Sequence, residues 1–261
     1  MVIDRFVDPP ARGRHEPGFL TGRCALVTGG ARRIGRALAE ALADAGAVVV
    51  IHYRTSEAEA REVVAAIERT GGEAYTLQAD LASSDLDMQL VDEAAKLAGQ
   101  PIDILVNNAS VFEPLDVMTT TVADWDRNMA VNLRAPFLLA RGLARQLPRA
   151  AVGDVVNLND DRALRPPADH FAYSISKYGL HGLTRSLALA LAPRVRVNEL
   201  ALGAVLPPER PDGQYRHVPK NELPLERFGG PADVAHALLF LLGSPGVTGQ
   251  TIMLNGGRHL R

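Results

Sequence analysis

Tyr173 and Lys177 stand four residues apart, and Asp160 lies thirteen residues upstream of the tyrosine. On a helix that spacing stacks a phenol and an ammonium on one face, so the two groups can share one small volume. A free phenol titrates near pH ~10, and a close positive charge favours its ionised form, which makes the tyrosine a proton donor and acceptor nearer neutrality. Lowering it by about three units takes roughly 4 kcal/mol of differential stabilisation, within reach of one desolvated ammonium. Tyr/Lys pairs at this spacing are common on exposed helices, so their meaning depends on what else the chain brings to them.

A second constellation lies near the amino end. The apolar run 24–28 predicts a short strand, Gly29-Gly-Ala-Arg-Arg-Ile-Gly35 a glycine-rich turn, and 36–46 a helix. In a strand–turn–helix unit the free N–H groups and the positive end of the helix dipole face a phosphate, and glycine lets the backbone come close to it. The next apolar run, 47–52, leads into His52-Tyr-Arg-Thr-Ser56. Cofactors without a 2′-phosphate are usually held at this point by an Asp or Glu. No carboxylate occurs before Glu57, whereas Arg54, Thr55 and Ser56 can donate charge-assisted hydrogen bonds. NADPH is the cofactor this pattern indicates.

The elements that must hold these two sites alternate. Helix is predicted over 57–70, strand over 74–79, helix over 84–97, and strand over 102–106, running into Asn107-Asn-Ala-Ser110. Alternation at this pitch means βαβ units, a parallel sheet, and ligands gathered at the carboxyl ends of the strands, where Asp80, Asn108 and Ser110 fall. Further on, 122–147 reads as a long apolar helix interrupted at Pro136, carrying Trp125 as a packing or subunit-contact residue. A helix over 171–192, a strand opened by Arg196, a helix over 231–242 with a proline start and a strand over 250–254 complete the pattern. His170, three residues before Tyr173, is placed to face the pocket, although loop histidines are usually exposed.

At 261 residues and 47% hydrophobic content the chain can bury one substantial core, and no linker or repeat divides it. A net charge of −2 argues against a general nucleic-acid or anionic-membrane surface. Cys24 is the lone cysteine, set in an apolar run, so it reads as a buried inert thiol and the cytoplasm as the compartment. The histidines lack metal-ligand spacing, and no metal site is expected. Residues 1–22 lack the apolar stretch of a signal peptide and read as a flexible extension, and no apolar run is long enough for a membrane span. Residues 206–223, rich in Pro, Arg and Glu, read as a substrate lid.

Thr28-Gly-Gly-x-x-x-Ile-Gly35, Asn107-Asn-Ala109, Asn132 and Tyr173-x-x-x-Lys177 occur in this order and spacing, and from about residue 23 onward the chain resembles the short-chain dehydrogenase/reductase family. The resemblance implies a single-domain α/β Rossmann fold, with a doubly wound seven-stranded parallel sheet and helices on both faces. It implies Tyr173 as acid/base, Lys177 on the nicotinamide ribose and lowering the Tyr pKa, and Asn132 holding a relay water. The cofactor-contacting set it implies is Gly29, Arg32, Arg33, Ile34, Gly35, Tyr53, Arg54, Thr55, Ser56, Asp80, Leu81, Asn108, Ala109, Ser110, Tyr173 and Lys177. The family usually has Gly at Arg33, Ser at Asp160 and Gly at Ser110; these departures, with Phe112 and the terminal Gly256-Gly-Arg-His-Leu-Arg261, resemble pteridine and dihydromonapterin reductases. By that likeness Phe112 stacks on a pterin, Arg33 and Ser110 contact pterin or cofactor phosphate, Asp160 works with Tyr173, and the protein is a homotetramer.

A flat, nitrogen-rich ring suits an aromatic platform and a cationic fork, and reducing its C=N bond needs a proton near nitrogen. The expected activity is therefore an NADPH-dependent reduction of a dihydropteridine. The alternatives are a carbonyl or 3-oxoacyl-thioester reductase of the same family, and a non-catalytic NADP-sensing protein, which would have no chemical use for the Tyr/Lys pair.

Overall fold

The structure is a computed structural model and describes residues 18–83, 89–165, 167–203, 205, 223–227 and 229–260. Seven strands form one sheet: β1 (Cys24–Val27), β2 (Val48–Tyr53), β3 (Ala74–Gln78), β4 (Ile104–Asn107), β5 (Gly153–Asp160), β6 (Val195–Leu202) and β7 (Thr251–Leu254). Their order is β3-β2-β1-β4-β5-β6-β7, and every neighbouring pair is parallel. The order reverses between β1 and β4, so the two halves diverge there and leave a crevice at the carboxyl edge.

Helices cover both faces because alternate strand residues demand it. Ala25 and Val27 of β1 share a core with α1 (Arg33–Asp44), α2 (Glu57–Arg69) and α7 (Pro231–Leu242). Cys24 and Leu26 point the other way, into a core with α3 (Gln89–Ala98), α5 (Ala135–Gln146) and α6 (Phe171–Leu191). Strands buried on both sides read as continuous apolar runs, which is why 24–28 and 47–52 carry no alternation. Cys24 is buried, and burial pushes its thiol up to about 12, so it stays protonated and inert.

Three expectations need correction. Residues 122–147 are not one helix broken at Pro136: α4 (Val122–Met129) is followed by a π turn, Ala130–Arg134, and then by α5. Pro136 lies in the first turn of α5 and has no N–H for the carbonyl four residues earlier, and the widened turn just before it absorbs that loss. Helix α1 begins at Arg33 rather than 36, which brings its amino end into the glycine turn. The packed body also starts before residue 23. Leu20 is buried in the α1-side core and its N–H donates to the Ala45 carbonyl at 2.9 Å, since an apolar side chain under the α1–β2 turn gains more buried than in water. Of the proposed extension, residues 1–17 lie outside the described residues, as do 206–222 of the proposed lid.

Candidate active site

The strand ends at the order reversal frame a cavity of about 420 Å³. Gly29, Arg32, Arg33, Ile34, Gly35, Tyr53, Arg54, Thr55, Ser56, Asp80, Leu81, Asn108, Ala109 and Ser110 all line it. The glycine turn is drawn tight: a Cβ on Gly35 would lie 2.1 Å from the Gly29 carbonyl oxygen and 2.6 Å from the Asn108 amide nitrogen. Asn108 is a stitch in this turn, since its side-chain NH2 donates to the Thr28 and Gly29 carbonyls at 2.9 and 3.0 Å. Arg33 adopts φ 54, a left-handed conformation that favours glycine, which costs about 1–2 kcal/mol and accounts for the residue type usual there in the resembled family.

His52 also lines the cavity and was not among the expected site residues. Its Nδ1 accepts from the Gly29 N–H at 3.2 Å, and its Nε2 lies 3.1 Å from the Ala79 carbonyl, to which it must donate. Those partners fix one neutral tautomer, and burial pushes the ring down to about 4. The imidazole thus ties the glycine turn to the end of β3. Its place at the end of a buried strand was the one available signal. Ala31, Val111 and Val131 complete the missed lining.

The donor set suits a phosphorylated dinucleotide. Arg54 and Thr55 are exposed at the end of β2, no carboxylate interrupts them, and the helix end with its close-drawn glycines can take a pyrophosphate. Tyr173, Lys177, Asn132, Asp160 and Phe112 are not in the cavity lining but form a second cluster against it. Asn132, in the π turn, joins the two. Its Oδ1 accepts from Ser110 Oγ at 3.1 Å and from Val111 N at 2.9 Å, and its Nδ2 donates to Val111 O at 3.1 Å and Ser176 Oγ at 3.0 Å.

Asp160 ends β5, and Tyr173 and Lys177 share a face of α6. The Tyr173 hydroxyl donates to Asp160 Oδ2 at 2.7 Å. Of the two adjacent aspartates, Asp160 is therefore the one that meets the phenol. Asp161 turns to Asn255 and Arg258, at 3.3 and 3.8 Å, and burial, followed by the Asp160 charge, raises its carboxyl.

The phenol is not brought down toward neutrality as the spacing suggests: burial first, then the charge and hydrogen bond of Asp160, push Tyr173 well above its ordinary value. Lys177 Nζ donates to the Leu158 carbonyl at 2.8 Å and stands 5.6 Å from the Tyr173 ring centre. Burial lowers this lysine to about 8, against the charges of Asp160 and Glu199. The Arg162 charge opposes the rise at Tyr173.

Phe112 packs edge-on to Tyr173 at 4.7 Å and stacks on His170 at 4.1 Å and 16°. One face of Phe112 is thus covered from within the protein. His170 is buried, contrary to the expectation for a loop histidine, because that stacking draws it under the platform. It holds φ 54 at the start of α6. Trp125 packs 6.2 Å from Phe171, a packing role as expected.

A parallel seven-stranded sheet with a dinucleotide crevice and a Tyr/Lys pair beside it defines a class of oxidoreductase. A family profile described as Enoyl-(Acyl carrier protein) reductase matches residues 29–259. The 3-oxoacyl-(acyl-carrier-protein) reductase FabG of Aquifex aeolicus is 36% identical over 249 residues, covering 91% of this chain and 98% of that protein. The chain belongs to the short-chain dehydrogenase/reductase family.

Among individual proteins it is similar to FolM alternative dihydrofolate reductase 1 from Brucella canis, solved in complex with NADP. The identity is 39% and the TM-score 0.86, over 94% of this chain and 97% of that one. The Brucella suis protein of the same name, also with NADP, is 40% identical with TM-score 0.86, covering 92% and 96%.

Proposed function

We propose that the protein is an NADPH-dependent reductase of dihydropteridines. The observation that carries this reading is the 2.7 Å hydrogen bond from Tyr173 to Asp160, with Phe112 packed 4.7 Å from the same phenol. A carboxylate where the family usually has a serine suits a substrate whose nitrogen must be protonated, and an aromatic platform suits a flat ring. The likeness to two FolM proteins supports the same choice, and their complexes with NADP support the cofactor.

NADPH bound in the crevice would supply the hydride. Gly29, Ile34 and Gly35 would take its pyrophosphate on the turn, Arg54, Thr55 and Ser56 the 2′-phosphate, and Asp80 and Leu81 would border the adenine side. Lys177 would hold the ribose hydroxyls, and Asn132 keeps the Ser110–Val111 loop against α6. When Asp160 carries a proton it can donate to the Tyr173 oxygen. The phenol O–H then turns to the substrate nitrogen, and Asp160 replaces the proton that leaves. Burial keeps Tyr173 protonated until a base meets it, so it acts as an acid in the reducing direction.

The FabG likeness favours a second reading, reduction of a 3-oxoacyl thioester. NADPH absorbance followed with dihydromonapterin, dihydrobiopterin, dihydrofolate and an acetoacetyl thioester separates the two: turnover of a pterin is expected, and turnover of the thioester alone discards the reading. We also propose a cytoplasmic homotetramer, in keeping with the part-exposed Phe137 of α5 and Tyr178 and Leu189 of α6. A light-scattering mass equal to one chain would contradict the tetramer.

A further inference from the structure

Arg162 follows the Asp160–Asp161 pair in a short 3-10 turn, and four kinds of contact converge on it. Its backbone N–H donates to Asp160 Oδ1 at 2.9 Å, and its guanidinium Nε stands 3.9 Å from the same oxygen. Nη1 donates to Asp169 Oδ1 at 3.0 Å and lies 3.2 Å from His170 Nδ1. The guanidinium carbon sits 5.3 Å from the centre of the Phe112 ring. The side chain is only 22% exposed, so these contacts are made largely out of water.

We propose that Arg162 is a positioning residue for the reaction: it clamps the Phe112–His170 platform and sets the proton affinity of the Tyr173–Asp160 pair. A fixed cation 3.9 Å from one oxygen of a carboxylate whose other oxygen accepts the phenol favours the deprotonated pair. Arg162 thereby adds a second cation to the one that the spacing of Tyr173 and Lys177 supplies, the lysine ammonium, which donates to the Leu158 carbonyl. The same guanidinium fork, anchored on Asp169, holds His170 beneath Phe112, so charge and platform move together. The charged and titratable groups around it are Asp160 and Asp161 from the end of β5 and its turn, Asp169 and His170 from the loop, Tyr173 and Lys177 from α6, and Arg258 from the carboxyl segment. Arg258 is held on Asp161, which among the described residues leaves Arg162 as the guanidinium on Asp160 itself.

The platform half of this inference rests on the pterin-reductase reading, and the electrostatic half does not. The test uses Arg162→Met and Arg162→Lys in the full chain, with Arg162→Gln where the methionine variant does not fold. The 13Cζ resonance of Tyr173, assigned by its loss in Tyr173→Phe, is followed against pH in cofactor-free protein, where it reports the shared proton. The inflection should move up by at least about one unit in the methionine or glutamine variant and by less than half as much in the lysine variant. The pH at which kcat for a dihydropterin declines should move the same way. A structural role alone would lower kcat or the melting temperature and leave the inflection in place. A folded Arg162→Met or Arg162→Gln that titrates like the wild type overturns the proposal, as does a lysine variant displaced as far as the neutral one. If wild-type protein consumes no NADPH with any pterin or carbonyl, the reductase reading falls, while the resonance still decides the part played by Arg162.

Discussion

Arg33 and Arg54 carry opposite lessons at the scale of single residues. Arg54 stands exposed at the end of β2 with nothing acidic before Glu57, so its effect is one of affinity. A charge-assisted hydrogen bond contributes about 1.5–3 kcal/mol, so Arg54→Ala should cut the preference for NADPH over NADH by roughly 10- to 100-fold, read as the ratio of kcat/KM values. Arg33 holds a left-handed backbone at a cost. Arg33→Gly should stabilise the fold by about 1 kcal/mol in a denaturant titration while raising the KM for NADPH. A variant no more stable than wild type would mean that the surroundings, and not the residue type, impose the φ angle. The Tyr173 result belongs here too. Helical spacing correctly sets Lys177 on the same face, but spacing does not say which carbonyl captures an ammonium, nor that a neighbouring turn supplies a second cation.

At the scale of elements, the strand ends do most of the positioning. His52 closes β2 against the glycine turn and β3 as a neutral ring held at about 4, below its ordinary 6.5. Between those two values the unfolded chain binds a proton that the folded protein refuses. Stability is therefore unaffected above pH ~6.5 and declines as pH falls toward ~4, by up to about 3 kcal/mol. His52→Gln, which cannot titrate, should lose that part of the slope when unfolding free energy is measured from pH 7 to pH 4. Glu199 of β6 is a second such anchor. Buried beneath Lys177, it accepts from Asn159 at 3.0 Å and Thr251 at 2.7 Å, and lies 2.5 Å from His181 Nδ1. Glu199→Ala would remove the acceptor of Thr251 and one of the two acceptors of Asn159, and a loss of about 3 kcal/mol is expected from chemical denaturation. A change under about 1 kcal/mol would show that water replaces the carboxylate.

For the whole molecule, the alternation of apolar runs with helical stretches made the parallel sheet legible; the glycine turn, Arg54 to Ser56, Asp80, Asn108 and Ser110 followed from turn chemistry and strand ends, and Arg32, Arg33, Ile34, Tyr53, Leu81 and Ala109 came from the family resemblance. What stayed hidden was set by contacts distant in sequence. Leu20 is buried by the turn after α1, the π turn at Asn132 answers both to Pro136 and to the Val111 loop, and the stacking of His170 beneath Phe112 spans an interval that local periodicity does not cover. His52 and Glu199 read as ordinary strand residues until β3 lies beside β2 and β7 beside β6.

The central claim is that Asp160 and Tyr173 act as one proton-delivering unit beside the cofactor crevice. It is tested most directly by kcat for Asp160→Asn, Tyr173→Phe and the double variant on a dihydropterin. If the pair is a unit, each single change should cost about 10²- to 10⁴-fold and the double change little more than the worse single one. Losses that multiply, or an Asp160→Asn enzyme that turns over at the wild-type rate, would contradict it.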